Sequence, residues 1–97
     1  MSDLNNMSVD DFAKLIGQSF VIDFEGNSIS LELIEVSKMG AGERDRGAFS
    51  LVWQGPKSPS LNQATYLLAN DEIGSHHMFV VPISEVDLGI QYEAIFT

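Results

Sequence analysis

Gln18 to Val36, QSFVIDFEGNSISLELIEV, is the stretch that decides the fold. From Gln18 the pattern has period two, with Phe20, Ile22 and Phe24 on one face and Ser19, Val21 and Asp23 on the other. Glu25-Gly26-Asn27 then reads as a tight turn, and Ser28 to Val36 resumes the alternation at Ile29, Leu31 and Leu33 against Ser30 and Glu32. Alternation of this kind marks strands with one covered face, and so short a connection forces them to be antiparallel. After Leu33 the phase slips to Ile34 and Val36. Either a bulge inserts a residue or both faces become covered. The bulge is favoured, because one helix cannot cover two faces of a sheet.

Downstream the same signal recurs. Ala48 to Gln54 puts Phe49, Leu51 and Trp53 on one face, and GPKSPS at 55–60 ends that strand, since proline donates no ladder hydrogen bond. Ala64 to Ala69 pairs Tyr66 with Leu68, and a turn follows at Asn70 to Gly74. In Ser75 to Ile83 the core face is expected at Phe79, Val81 and Ile83, opposite His76, Met78 and Val80, with Pro82 marking an edge or strand end. Ile90 to Phe96 closes the chain with Ile90, Tyr92, Ala94 and Phe96 inward. Upstream lies the one helix signal. Ser8 caps a turn holding Asp10 and Asp11, Phe12, Leu15 and Ile16 form an apolar stripe, and Gly17 stops it after about nine residues.

Six strands with short links predict a mainly β fold, a curved antiparallel six-stranded sheet or small barrel, with the short N-terminal helix plugging an open end. The length of 97 residues suits a single domain over 1–97, with 1–7 flexible. At 44% apolar and 20% charged residues the composition is globular. Without cysteine there is no disulfide, thiolate nucleophile or Cys-ligated zinc, so packing must supply the stability.

The formal charge is −9, from 14 acids against 5 bases. Nucleic acid and anionic membranes bind through Lys and Arg, so neither is an expected partner. The start, MSDLNNMSVDDF, lacks the basic and apolar regions of a secretory signal, and no apolar run approaches the length of a spanning helix. A soluble, cytoplasmic protein is expected.

Sites of chemistry are sparse. His76 and His77 are adjacent, and on a strand they point to opposite faces, so they cannot chelate one ion together; Asp71 and Glu72 in the preceding turn would have to complete a metal set. The expected reading is surface or half-buried histidines and no metal. The loop 38–47, KMGAGERDRG, holds three of the five bases, Lys38, Arg44 and Arg46. Its glycines are followed by a strand rather than a helix, which argues against a dinucleotide fingerprint. Long loops carry contacts, so these three are the candidates for binding a partner. There is no nucleophile elbow, and the paired acids Asp10 with Asp11 and Glu32 with Glu35 read as a helix first turn and a solvated face. No catalytic residue, no cofactor and no enzyme activity are expected. The off-phase apolar residues Val21, Val52, Leu67, Val80 and Ile95 would form an exposed stripe on a one-sided sheet, which points to a protein partner or a homo-oligomer.

The segments SVDDFAKLIGQSF at 8–20, LELIEV at 31–36, FSLVWQGP at 49–56, MFVVPI at 78–83 and YEAIF at 92–96 together resemble a family of small bacterial β domains of unknown function. Its members have forms such as F-S-L-x-F-x-G-P, T-Y-x-L, F-L-V-P and a closing Y-E-A-x-F. The resemblance implies a compact β domain, often encoded near phage-tail-collar-like proteins, and brings no catalytic residue with it. The expected function is a non-enzymatic interaction or assembly domain accessory to a phage-tail-like or surface particle. The alternative is a small-ligand or metal-binding β barrel.

Overall fold

A computed structural model describes residues 7–38, 48–58 and 60–96. These contain α1 (Val9–Ala13), β1 (Ser19–Phe24), β2 (Asn27–Lys38), β3 (Phe49–Gln54), β4 (Ala64–Asn70), β5 (Gly74–Val86) and β6 (Gly89–Phe96). Every strand pairing is antiparallel, and the order β1-β2-β3-β6-β5-β4 closes into a barrel. Of the two predicted architectures, the closed one forms.

The opening hairpin follows its sequence. Glu25 (φ 50°) and Gly26 (φ 82°) form a two-residue turn with both central residues left-handed, the geometry that matches strand twist. Phe20 faces Leu31 and Ile22 faces Ile29, all inward and buried. The β2–β3 register shifts between Leu33 and Glu35, so the bulge sits where the phase slipped and leaves Ile34 outside the barrel. Leu33 opposite Trp53 and Val36 opposite Leu51 then both point inward.

The helix is shorter than predicted. Ser8 and Asp11 form the capping box, with the Ser8 amide donating to Asp11 Oδ2 at 2.9 Å, but α1 ends after Ala13. Leu15 remains buried while Ile16 is exposed, because the Gly17 amide turns away to donate to the Leu33 carbonyl at 2.8 Å. Phe12 enters one end of the barrel, 5.5 Å from Phe49 and 5.8 Å from Phe96, which stack on each other at 5.0 Å. Met7 is buried in the core, and residues 1–6 lie outside the described residues.

The core face of β5 is the reverse of the expected one. Met78 and Val80 are buried, while Phe79 and Ile83 are exposed and Val81 is half-buried. Both faces of Ser75 to Ile83 carry apolar residues, so alternation could not choose between them. Pairing chooses: Leu68 is fully buried and opposite His76, Tyr66 is opposite Met78, and partners across a ladder share a face. The same logic splits the off-phase set. Val52 and Val80 are buried and Val21 is half-buried, whereas Leu67 and Ile95 stand outside.

Closure rests on little ladder. β1 and β4 share one pair, Val21 with Ala69. Beside it, buried Asn70 donates from Nδ2 to the Ser19 carbonyl (3.1 Å) and to Gln18 Oε1 (3.2 Å), and its Oδ1 accepts from the amides of Glu72 (2.8 Å) and Ile73 (3.1 Å). One side chain thus joins the β4–β5 turn to the start of β1. At the other barrel end Gly89 (φ 142°) lies so close to the chain that a Cβ would overlap the Gly55 carbonyl and the backbone of Pro56 and Lys57.

Asn70→Ala leaves these amides and the Ser19 carbonyl unpaired, and is expected to cost about 2–3 kcal/mol in urea unfolding. Gly89→Ala is expected to destabilise by roughly 3 kcal/mol or more, against about 1 kcal/mol for Gly26→Ala, whose Cβ meets open space.

Candidate functional site

Among the described residues the predicted candidates do not form one cluster. His76 lies on the inner side of β5, half-buried, its Nε2 hydrogen-bonded to the Ile73 carbonyl at 2.7 Å, while His77 faces outward across from Leu67. Asp71 and Glu72 are exposed in the preceding turn, where Glu72 Oε1 accepts from Gln18 Nε2 at 3.3 Å. Among the described residues no group of three His, Asp or Glu side chains is placed to hold a metal. Lys38 is exposed at the end of β2, opposite Phe49; Arg44 and Arg46 lie outside the described residues.

Two surface features stand out instead, the first foreshadowed only in part by the off-phase residues. The first is an apolar strip on the outside of the barrel. Leu67 (47% exposed) on β4 and Phe79 (54%) on β5 are diagonal neighbours, because Thr65 is opposite Phe79 and Leu67 opposite His77. Half-buried Val81 extends the strip along β5, and Ile95 (51% exposed) stands on β6 two residues beyond Glu93, the partner of Val81. On the far side, Ala69 and Val21 continue it at the closing pair. Outward Leu67 and Ile95 were visible as off-phase residues; Phe79 required the β4–β5 register.

The second is a cleft of about 350 Å3 between residues 60–62 and Pro82, Ser84 and Glu85 of β5, with Ile90 of β6. Two tyrosines tether its 60–62 wall. The Leu61 amide donates to Tyr92 Oη at 2.9 Å, and Tyr66 Oη donates to the Asn62 carbonyl at 2.7 Å. Burial raises the Tyr66 pKa above its usual value, and the neighbouring Tyr92 raises it further. Pro82 was the one sequence signal near this cleft.

The barrel interior is filled by side chains such as Trp53, Tyr92, Phe20 and Leu31, and Phe20 meets Trp53 edge-on at 5.6 Å. Trp53 Nε1 is the buried side-chain polar atom without a hydrogen-bond partner among the described residues. Among those residues no helix is long and apolar enough to cross a membrane.

A packed six-stranded antiparallel barrel, plugged by a short helix and bearing an apolar outer strip, defines the class: a small β-barrel domain. The chain belongs to the family described as Domain of unknown function (DUF6916), whose model matches residues 7–96. No curated protein and no solved structure matches it.

A raised Tyr66 pKa means the folded state holds the phenol proton more tightly than the unfolded chain. Its contribution to stability is therefore complete below the unfolded value of about 10 and declines as the pH rises through the higher folded value. Tyr66→Phe is expected to remove an ionisation displaced above the usual tyrosine range from an alkaline titration followed at 295 nm.

Proposed function

We propose that this domain is a non-enzymatic interaction or assembly module, accessory to a phage-tail-like or other surface particle and made in the bacterial cytoplasm. The outer strip of Leu67, Phe79 and Ile95 carries the proposal. Scattered apolar residues are normal on a surface, but three large ones about half exposed on three successive strands form a continuous strip of the kind that marks an interface. Its geometry suits a protein partner or a second copy better than a small molecule, since a convex barrel wall offers no enclosure. The charge of −9 disfavours nucleic acid and anionic membrane as partners. The alternative, a small-ligand or metal-binding barrel, has only the open cleft beside residues 60–62 in its support.

Size-exclusion chromatography with light scattering, together with capture from the native host, tests the proposal. Self-association or capture of one defined partner is expected, and Leu67→Ser with Phe79→Ser is expected to abolish it while changing stability by under about 1 kcal/mol. A strict monomer that recovers no protein, or association indifferent to both substitutions, overturns it.

A further inference from the structure

We propose that the open edge of β5, Val81 to Val86, is a strand-addition site for an extended, Lys- or Arg-bearing segment of a partner protein. The inference rests on the interaction reading above and names a second contact and its chemistry. β4 pairs with β5 only as far as Val80, opposite Ala64, whereas β6 pairs with β5 from Val81 to Val86. The outer half of β5 therefore has one strand neighbour, and among the described residues no strand covers its other edge. Such an edge presents main-chain donors and acceptors to any segment that can lie along it.

The cleft lies on that edge. Residues 60–62 lead into β4, but instead of continuing the ladder they diverge from β5, held by Tyr92 and Tyr66. About 350 Å3 opens where further β4 residues would have paired. An added strand would run along Val81 to Val86 and direct alternate side chains toward Ser60, Asn62 and Glu85.

Charge selects the occupant. Residues 58–97 hold Asp71, Glu72, Glu85, Asp87 and Glu93 and no Lys or Arg. The nearest base in sequence is Lys57, exposed on the segment that follows β3, its backbone against Gly89. Glu85 lies on the edge itself and Asp87 in the turn that follows. A second copy would bring the same Glu85-bearing edge and another −9, which works against self-pairing. A basic strand meets opposite charge at Glu85 and, in the turn beyond it, at Asp87.

The test uses the full chain, labelled with 15N, and three blocked peptides of about nine residues. One alternates Lys with Thr and Val, one has Glu in place of Lys, and one is the Lys peptide N-methylated throughout its middle. The Lys peptide is expected to shift the amide signals of Ser84 to Val86 and slow their exchange. The Glu and N-methylated peptides are each expected to bind at least about tenfold more weakly, as is the Lys peptide to Glu85→Lys with Asp87→Lys. No binding of the Lys peptide, equal binding of the N-methylated peptide, equal binding of the Glu peptide, shifts confined to other strands, or an edge-paired dimer that the Lys peptide competes for overturns the proposal. The Leu67→Ser, Phe79→Ser protein keeps the β5 edge, so peptide binding by that protein separates failure of the edge assignment from failure of the outer strip.

Discussion

The Asn70 side chain holds the barrel shut. A sheet of six strands can stay open and curved, and what converts it into a closed wall is contact between its first and fourth strands in chain order. That contact has one ladder pair, Val21 with Ala69, and beside it a single buried amide, two of whose four hydrogen bonds reach Ser19 and Gln18 while the other two hold the β4–β5 turn. All of Asn70's bonds are made at once: the oxygen organises the β4–β5 turn and the nitrogen grips the start of β1. A buried amide with every group satisfied specifies geometry strongly, because losing any partner leaves a desolvated group behind. From this closure follow the inward direction of Leu68, the inward direction of Met78 and Val80 across from β4, and therefore the outward direction of Phe79.

The proposed function is a matter of surfaces. The inside is filled with side chains, with Phe12 and its aromatic neighbours packed at one end and Leu61 tethered to Tyr92 toward the other. Two exposed features meet at β5: an apolar strip on the wall, shared with β4 and β6, and a half-paired strand end bearing Glu85. The first half of β5 supplies Phe79 to the strip, and its second half projects past the end of β4 with β6 alone. Long strands that outrun their neighbour are how a small barrel gains an arm without an added domain.

Memberships and chemistry bear on different questions here. The DUF6916 match spans nearly the whole described chain and fits a fold whose motifs are mostly core and turn residues. FSLVWQGP at 49–56 is the inner wall of β3 and its exit, and YEAIF at 92–96 is its partner on β6. Residues that pack say little about what the outside touches, so these segments bear on architecture rather than on partners.

The sequence by itself determined the hairpin from Gln18 to Val36, the bulge after Leu33, the capping box at Ser8 and the antiparallel order of short links. Each depends on neighbours a few residues apart, through period-two alternation, a cap three residues long or a left-handed turn. It also showed that His76 and His77 cannot share an ion, since adjacent strand residues point apart. Tertiary structure alone decided the face of β5, the end of the helix before Ile16, and the position of the cleft. Ser75 to Ile83 is apolar on both sides, so only the pairing of Leu68 with His76, eight residues away across a turn, could select the inner one. The cleft depends on contacts still more distant in sequence, between Leu61 and Tyr92 and between residues 60–62 and the far half of β5, which no local pattern encodes.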